Sequence, residues 1–595
     1  MRRSPVPTIG LVLGVALLVD LLRVWLPSII TIFGQAAATP AELLAAFALV
    51  WFLLAFAAPA LIRRTGPAPV ALTAAVGLAG CRIALPATGG GQAQLYTASL
   101  GLLAALVWLA ATAASVARPI PGLVLGLATA TATHTALATY DLVWRTGVGG
   151  WTLTVLVALA FVVATWRSAP AHDTDVPTGG ARPWLSFGPA LLLSGMVAGS
   201  PALLQTGLSY GSGLGLLPGG DGGLGSGIAQ SGSSAAVAGL LLGTVALTAF
   251  VAGGGAAGQG PATGWVGAVL LLAGTVAFAG TGPDGLLPAV ALVPAILASA
   301  AGLGMCLGAT DRPADDGTTT AGTATATATA TVARAATRRS YAAVGGMAIF
   351  AVAAIAYYAA YDLGYPNGWV PVGTAVLLAA GAVSVRPGPV PSARPDGPAP
   401  SPWRDPARRW PVAATALVAA LAGTVAPHTA PDAVPGATSG PGATPGATPP
   451  GSPTNGQVRL VAYNIRMGFG LDGRFDLAGL AEVIAEQKPD VVALSEVDRA
   501  WLLNGGHDTL ALLARRLDMP YVFAPAADSV WGDAVLTRFA VRQARTVPLP
   551  AVGAPTGAQA LAVTLDVGGR ELVVVSTHLQ PPPDDGPVVQ ARATA

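Results

Sequence analysis

The sequence predicts a polytopic α-helical membrane domain of about thirteen spans, followed by a C-terminal α/β sandwich. Three observations predict it. Hydrophobic residues fill 53% of the 595 positions and charged residues only 10%, against about 25% charged in soluble domains. Apolar runs close to the ~20 residues that a helix needs to cross a bilayer recur up to residue 426. From Gln457 onward the chain changes to an ordinary globular mixture that includes its only lysine, Lys488.

Taken in order, the apolar runs place spans near 9–33, 41–62, 68–86, 94–117, 120–139, 150–166, 187–205, 235–252, 264–280, 285–308, 341–361, 368–385 and 411–426. Their orientation follows from arginine asymmetry. With the N-terminus in the cytoplasm, the inner loops hold sixteen arginines, among them Arg2, Arg3, Arg63, Arg64, Arg118, Arg167 and Arg334. The outer loops hold only Arg145. An odd span count then puts the C-terminal domain outside the cytoplasm, at the plasma membrane. Met-Arg-Arg and Ala36-Ala37-Ala38 have the look of a cleavable signal, but the long first run containing Asp20 and Arg23 reads as a retained span.

Charges inside spans are costly and call for partners. Asp20 and Arg23, three residues apart, share a helix face and are expected to neutralise each other. Arg82, His134 and Asp141 stand in or beside the third and fifth spans, either as intramembrane pairs or as the lining of a polar cavity. Cys81 and Cys306 fall in apolar segments and read as small buried residues. A net charge of +2 gives no reason to expect nucleic acid as a partner.

Three low-complexity stretches punctuate the chain. The Thr/Ala tract 317–333 is too polar and small to fold, and 387–410 is rich in Pro and Arg. The segment 427–456 repeats Pro-Gly-Ala-Thr at 435–438, 441–444 and 445–448 and reads as a semi-extended tether. The expected organisation is therefore 1–426 membrane domain, 427–456 linker and 457–595 soluble domain.

In the soluble part, 458–464 alternates as a strand ending at Asn464. Asp476 opens a helix with Leu477, Leu480, Val483 and Ile484 on one face, and Pro489-Asp490 breaks it. The run 491–494 is a buried strand ending at Ser495-Glu496, and a helix covers about 508–517. Short strands follow near 521–523 and 533–537. Strands 558–566 and 571–577 are joined through Gly568-Gly569 and deliver His578. A final helix is expected over 588–595. Three strand ends thus present Asn464, Glu496 and His578.

Tyr-Asn-Ile-Arg (463–466), Leu-Ser-Glu-Val-Asp (494–498), Trp-Gly-Asp-Ala-Val-Leu-Thr-Arg (531–538) and Ser-Thr-His-Leu (576–579) occur in that order. In this they resemble successive motifs of the endonuclease/exonuclease/phosphatase superfamily. Gly-Leu-Asp-Gly (470–473) and Gly-Gly-His-Asp (505–508), behind many membrane spans, are similar to proteins of GPI-anchor lipid remodelling and their bacterial relatives. The resemblance implies a metal-dependent phosphodiesterase or phosphatase. Glu496 and Asn464 would hold Mg2+ or Mn2+, and His578 and Arg466 would contact the phosphate. His507 and Asp508 are weaker candidates, equally readable as helix capping. Asp533 stands where the superfamily usually has Asn and reads as a tolerated variant.

The superfamily's later Gly-Asp-x-Asn and Ser-Asp-His segments do not follow His578. The expectation is therefore a truncated domain with unpaired sheet edges, inactive as it stands. Its implied substrate is a phosphoester, lipid-borne or lipid-linked given the tether to the bilayer. The rival expectation is a transporter or lipid-handling protein with a non-catalytic binding domain.

Overall fold

A computed structural model describes residues 6–35, 39–116, 118–168, 180–213, 228–230, 233–255, 261–282, 285–311, 325–384, 457–550, 558–579 and 585–595. The predicted span 411–426, the Pro/Arg-rich stretch and the tether 427–456 lie outside the described residues.

The N-terminal half is helical. It comprises α1 (Val6–Ser28, continued by a π turn to Phe33), α2 (Ala41–Leu54), α3 (Ala58–Thr65), α4 (Pro67–Ala84) and α5 (Gly91–Ser115). There follow α6 (Ile120–Ala136), α7 (Val148–Arg167), α8 (Arg182–Leu193), α9 (Pro201–Gly213) and α10 (Ser233–Gly255). The last five are α11 (Pro261–Ala279), α12 (Leu292–Ala309), α13 (Thr325–Tyr358), α14 (Ala360–Leu363) and α15 (Trp369–Val383). Ten helical segments among the described residues are long and apolar enough to cross a membrane, rather than thirteen. Two of the expected spans form shorter helices, α6 of 17 residues and α15 of 15. Helix α6 stops at Ala136 because Ala138 and Thr139 take positive φ and turn the chain toward the C-terminal domain.

Two further expectations are corrected. The Thr/Ala tract is helical from Thr325, where it extends α13. Alanine favours the helix, and adding residues to an existing helix avoids the cost of nucleation. Asp20 pairs with Arg82 of α4, and Arg23 with Asp141, rather than with each other. Neighbouring helices bring partners closer than a helical i,i+3 spacing does. Close packing rests on small residues. A Cβ on Gly188 of α8 would fall 1.8 Å from the Gly346 carbonyl oxygen of α13.

The C-terminal domain is a sandwich. Its five-stranded sheet has the order β1-β4-β5-β3-β2, built from β1 (Ala229–Gln230), β2 (Leu460–Asn464), β3 (Val491–Asp498), β4 (Tyr521–Asp528) and β5 (Trp531–Thr537). A three-stranded sheet, β6-β7-β8, comprises Ala540–Leu549, Ala558–Val567 and Arg570–Thr577. Alternation along β3 serves both layers. Val491 meets Leu561 and Val563 of the second sheet, while Val492 and Leu494 meet Ile484 and Leu513. Those two belong to α16 (Leu477–Glu486) and α17 (Thr509–Leu517), and α18 (Gly586–Thr594) closes the described chain. Asp476 and Asp508 cap α16 and α17, each accepting a backbone N–H at 3.0 Å.

The expectation of unpaired edges fails on one side. Strand β1, contributed by the segment between α9 and α10, pairs antiparallel with β4, Ala229 opposite Phe523. The two halves are therefore joined through the sheet as well as through side chains. Tyr210 donates to the Ser529 carbonyl at 2.8 Å, and Tyr361 to Asp528 Oδ2 at 2.9 Å. The buried Arg499 spans the seam: it holds Asp508 through two bonds of 3.2 and 2.9 Å, Tyr521 at 2.9 Å and Ser209 of α9 at 2.9 Å.

Removing one member of such a buried pair strands the other. Arg499→Ala is expected to destabilise the full chain by about 3–5 kcal/mol. Arg499→Lys should recover little, because an ammonium cannot reproduce the fork. Denaturant unfolding of the detergent-solubilised chain measures both.

Candidate functional site

Parallel pairing of β2 with β3 sets Asn464 opposite Ser495, at the end of the sheet where β3 is interrupted by a bulge between Leu494 and Val497. Glu496 occupies that bulge with φ +53°, a left-handed conformation uncommon for a residue with a Cβ. Its carboxylate accepts from Asn464 Nδ2 at 2.9 Å. His578, just beyond β8, places Nε2 3.8 Å from the same oxygen, Oε1. Asn464 Oδ1 in turn accepts the Arg466 backbone N–H at 3.0 Å, which fixes the amide's orientation. Glu496 and His578 keep 24% and 32% of their side chains exposed, so a substrate can reach them.

Asp533 lies beneath this group. It is 1% exposed, and its Oδ2 accepts from Gln559 Nε2 at 2.7 Å, while Oδ1 is buried with no partner at hydrogen-bond distance, although the His578 backbone N–H lies near enough to favour the carboxylate. Burial pushes its carboxyl up to about 7, and the negative charge of Glu496 adds to the rise. Glu496 and Asp533, near enough for one charge to raise the other's pKa, are the oxygen donors that could hold Mg2+ or Mn2+. Trp531 presents its ring to His578 at 6.4 Å, edge to face.

The other sequence candidates are placed elsewhere. The Arg466 guanidinium donates to the Gly470 carbonyl at 3.3 Å, within its own loop. Asp508 is the α17 cap and the partner of Arg499. His507 stacks on Phe475 with ring centroids 4.2 Å apart and bonds the Thr139 carbonyl. Burial lowers its pKa to about 4. Trp531 opens one of the four sequence motifs but carries no role there, and Gln559 lies outside all of them. Gln559 sits in a strand with no motif of its own, and only the β7 packing brings it under Asp533.

Residues 457–585 match the family model described as PGAP2IP, C-terminal nuclease-like domain. The nuclease-like domain thus contains all of Asn464, Glu496, Asp533 and His578, and the match includes every strand of the sandwich except β1. No curated protein is a significant match to the chain.

The buried carboxyl of Asp533 has a testable consequence. Its unfolded pKa is about 3.9 and its folded value about 7, so the folded chain holds the extra proton between those values. Stability should then fall as pH rises from about 4 to 7, by up to about 4 kcal/mol, in the presence of a chelator. Asp533→Asn should remove that slope. Melting temperatures of both chains between pH 4 and 8 give the comparison, and added Mg2+ should restore the wild type above pH 7.

Proposed function

We propose that the chain is a membrane-anchored, metal-dependent phosphoesterase-type protein whose nuclease-like domain works on the extracytoplasmic side, on a lipid or lipid-linked phosphoester. The observation that carries this reading is the convergence of Asn464, Glu496 and His578 on one carboxylate oxygen, above the orphaned Asp533 Oδ1.

Glu496 and Asp533 are the residues that would hold Mg2+ or Mn2+. The bound ion would polarise the phosphoryl group and position the attacking water. Asn464 keeps the Glu496 carboxylate turned into the site. His578, exposed on the rim, donates a hydrogen bond to a phosphate oxygen as negative charge builds there. Trp531 limits how far that imidazole can swing.

Two features support a bilayer-borne substrate. The domain is docked on the helix ends rather than held at a distance, with Gly91 N donating to the Asp472 carbonyl at 2.6 Å. Leu471 beside that contact is 92% exposed, an apolar side chain at the rim. Sidedness is supported by where the domain docks. Its partners Gly91, Thr139, Thr281 and Tyr361 lie at the ends that alternate with those bearing Arg63, Arg64, Arg167, Arg334 and Arg338. By the positive-inside bias the arginine-bearing ends face the cytoplasm.

A second reading, lipid handling by the membrane half, is favoured by a cavity of about 380 Å³ between α6, α9 and α10. It is lined by Thr131, Leu204, Leu240, Phe250 and Arg515.

Mn2+ binding by the full chain, and hydrolysis of lipid, nucleotide and DNA phosphodiesters by the chain supplied with the superfamily's later Gly-Asp-x-Asn and Ser-Asp-His segments, distinguish these readings. Glu496→Gln is expected to abolish turnover and weaken Mn2+ binding. His578→Ala should cut turnover about 10²–10³-fold. Turnover unchanged by Glu496→Gln would remove the assignment and leave the membrane half as the working part. For sidedness, Glu571 is well exposed. Glu571→Cys should therefore react with a membrane-impermeant maleimide in intact cells; labelling only after lysis would reverse the orientation.

A further inference from the structure

At the seam between the two halves lies a cluster that the proposed phosphoesterase chemistry does not use. His134 near the end of α6, Asp141 in the following loop and His507 of the C-terminal domain are all buried. One donor atom from each lies within 4.8 Å of the others. Their hydrogen bonds determine the tautomers, because a carbonyl oxygen can only accept. His134 Nε2 is 2.9 Å from the Gly506 carbonyl, so it carries the proton. His507 Nδ1 bonds the Thr139 carbonyl and carries the other.

Each ring is then left with one nitrogen bearing a lone pair, Nδ1 of His134 and Nε2 of His507. His507 Nε2 is buried with no partner, and so is Asp141 Oδ2. His134 Nδ1 stands 2.7 Å from Asp141 Oδ1, an opposition of lone pairs unless a cation or a second proton separates them. Arg23 approaches Oδ1 to 3.8 Å and leaves Oδ2 to the cluster. Histidines whose outer N–H is tied to a backbone carbonyl are the arrangement found around metal ligands.

We propose that His134, Asp141 and His507 bind a borderline divalent transition metal, with Zn2+ as the type, which clips the C-terminal domain onto the membrane half. Two imidazoles and one carboxylate suit Zn2+, completed by a water, and do not suit the all-oxygen preference of Mg2+. The ion joins α6 and its loop to the Gly505-Gly506-His507 turn. Gly505 and Gly506 take φ +89° and +73°, and a Cβ on Gly505 would fall 2.6 Å from His507 Nε2, so the turn keeps the ring's inward edge clear.

The test uses the full chain in detergent, stripped with a chelator and reloaded with Zn2+ alone or Co2+ alone. The expected result is one Zn2+ per chain after dialysis, measured by elemental analysis, and visible Co2+ absorption of a four-coordinate N/O site. His507→Ala and Asp141→Asn should each lose more affinity than the roughly 10–100-fold that disturbing an outer partner costs. Glu496→Gln should keep the Zn2+, which separates this ion from the one proposed at the phosphoesterase site. Stripping should raise hydrogen exchange at 137–141 and 505–509. Wild-type chain that retains no Zn2+ overturns the proposal. Variants that retain the ion overturn it equally. Should a variant fail to fold, the wild-type Zn2+ content and Co2+ spectrum still decide.

Discussion

A guanidinium taken out of water must be matched, and the joining of the two halves depends on how Arg499 is matched. Its fork is filled by Asp508, Tyr521 and Ser209, so three separate stretches of chain meet on one charge. Such a pair contributes little net stability over an apolar equivalent, but it penalises any arrangement that leaves the charge unpaired. Asp508 also caps α17, so the same carboxylate fixes the helix start and the seam. The His507 ring, one residue earlier, is delivered to the loop after α6 as a consequence.

The seam then dictates where the site sits. With α17 held against the membrane half, β3 runs alongside, and its bulge presents Glu496 at the exposed end of the sheet. β8 reaches the same end from the second layer and supplies His578. The site therefore draws Asn464, Glu496 and Asp533 from the five-stranded sheet and His578 from the end of the second, and depends on the packing between them, Val491 and Val535 against Leu561 and Val563. A sheet shifted by one residue would point Glu496 into the core.

Much of this was legible in the sequence because the signals were local. Run length and hydropathy located the helices, and the Asp476 and Asp508 caps and the Gly568-Gly569 turn marked element boundaries within a residue or two. What was not legible depended on distant partners. Strand β6 has an irregular exposure pattern and became a strand only through its pairing with β7. Strand β1 is two residues long and exists because β4 offers an edge. Asp20 chose Arg82 over Arg23 because helix packing, which no spacing rule encodes, set the shorter distance. Motif order marks Asn464, Glu496 and His578, whereas Asp533 reads in the sequence as an incidental replacement and only its burial sets it apart.

That replacement bears on how the site is balanced. An Asn at 533 would be neutral and tolerate burial. An Asp there, with one oxygen satisfied by Gln559 and the other orphaned, is held near neutrality at the cost of a raised pKa. A second negative charge next to Glu496 is unfavourable alone and favourable once a dication lies between them, since the same low-dielectric surroundings strengthen both terms. The electrostatics of the empty pair and of the loaded pair thus have opposite signs. The carboxylates that strain the fold without an ion are the ones that would bind it most strongly.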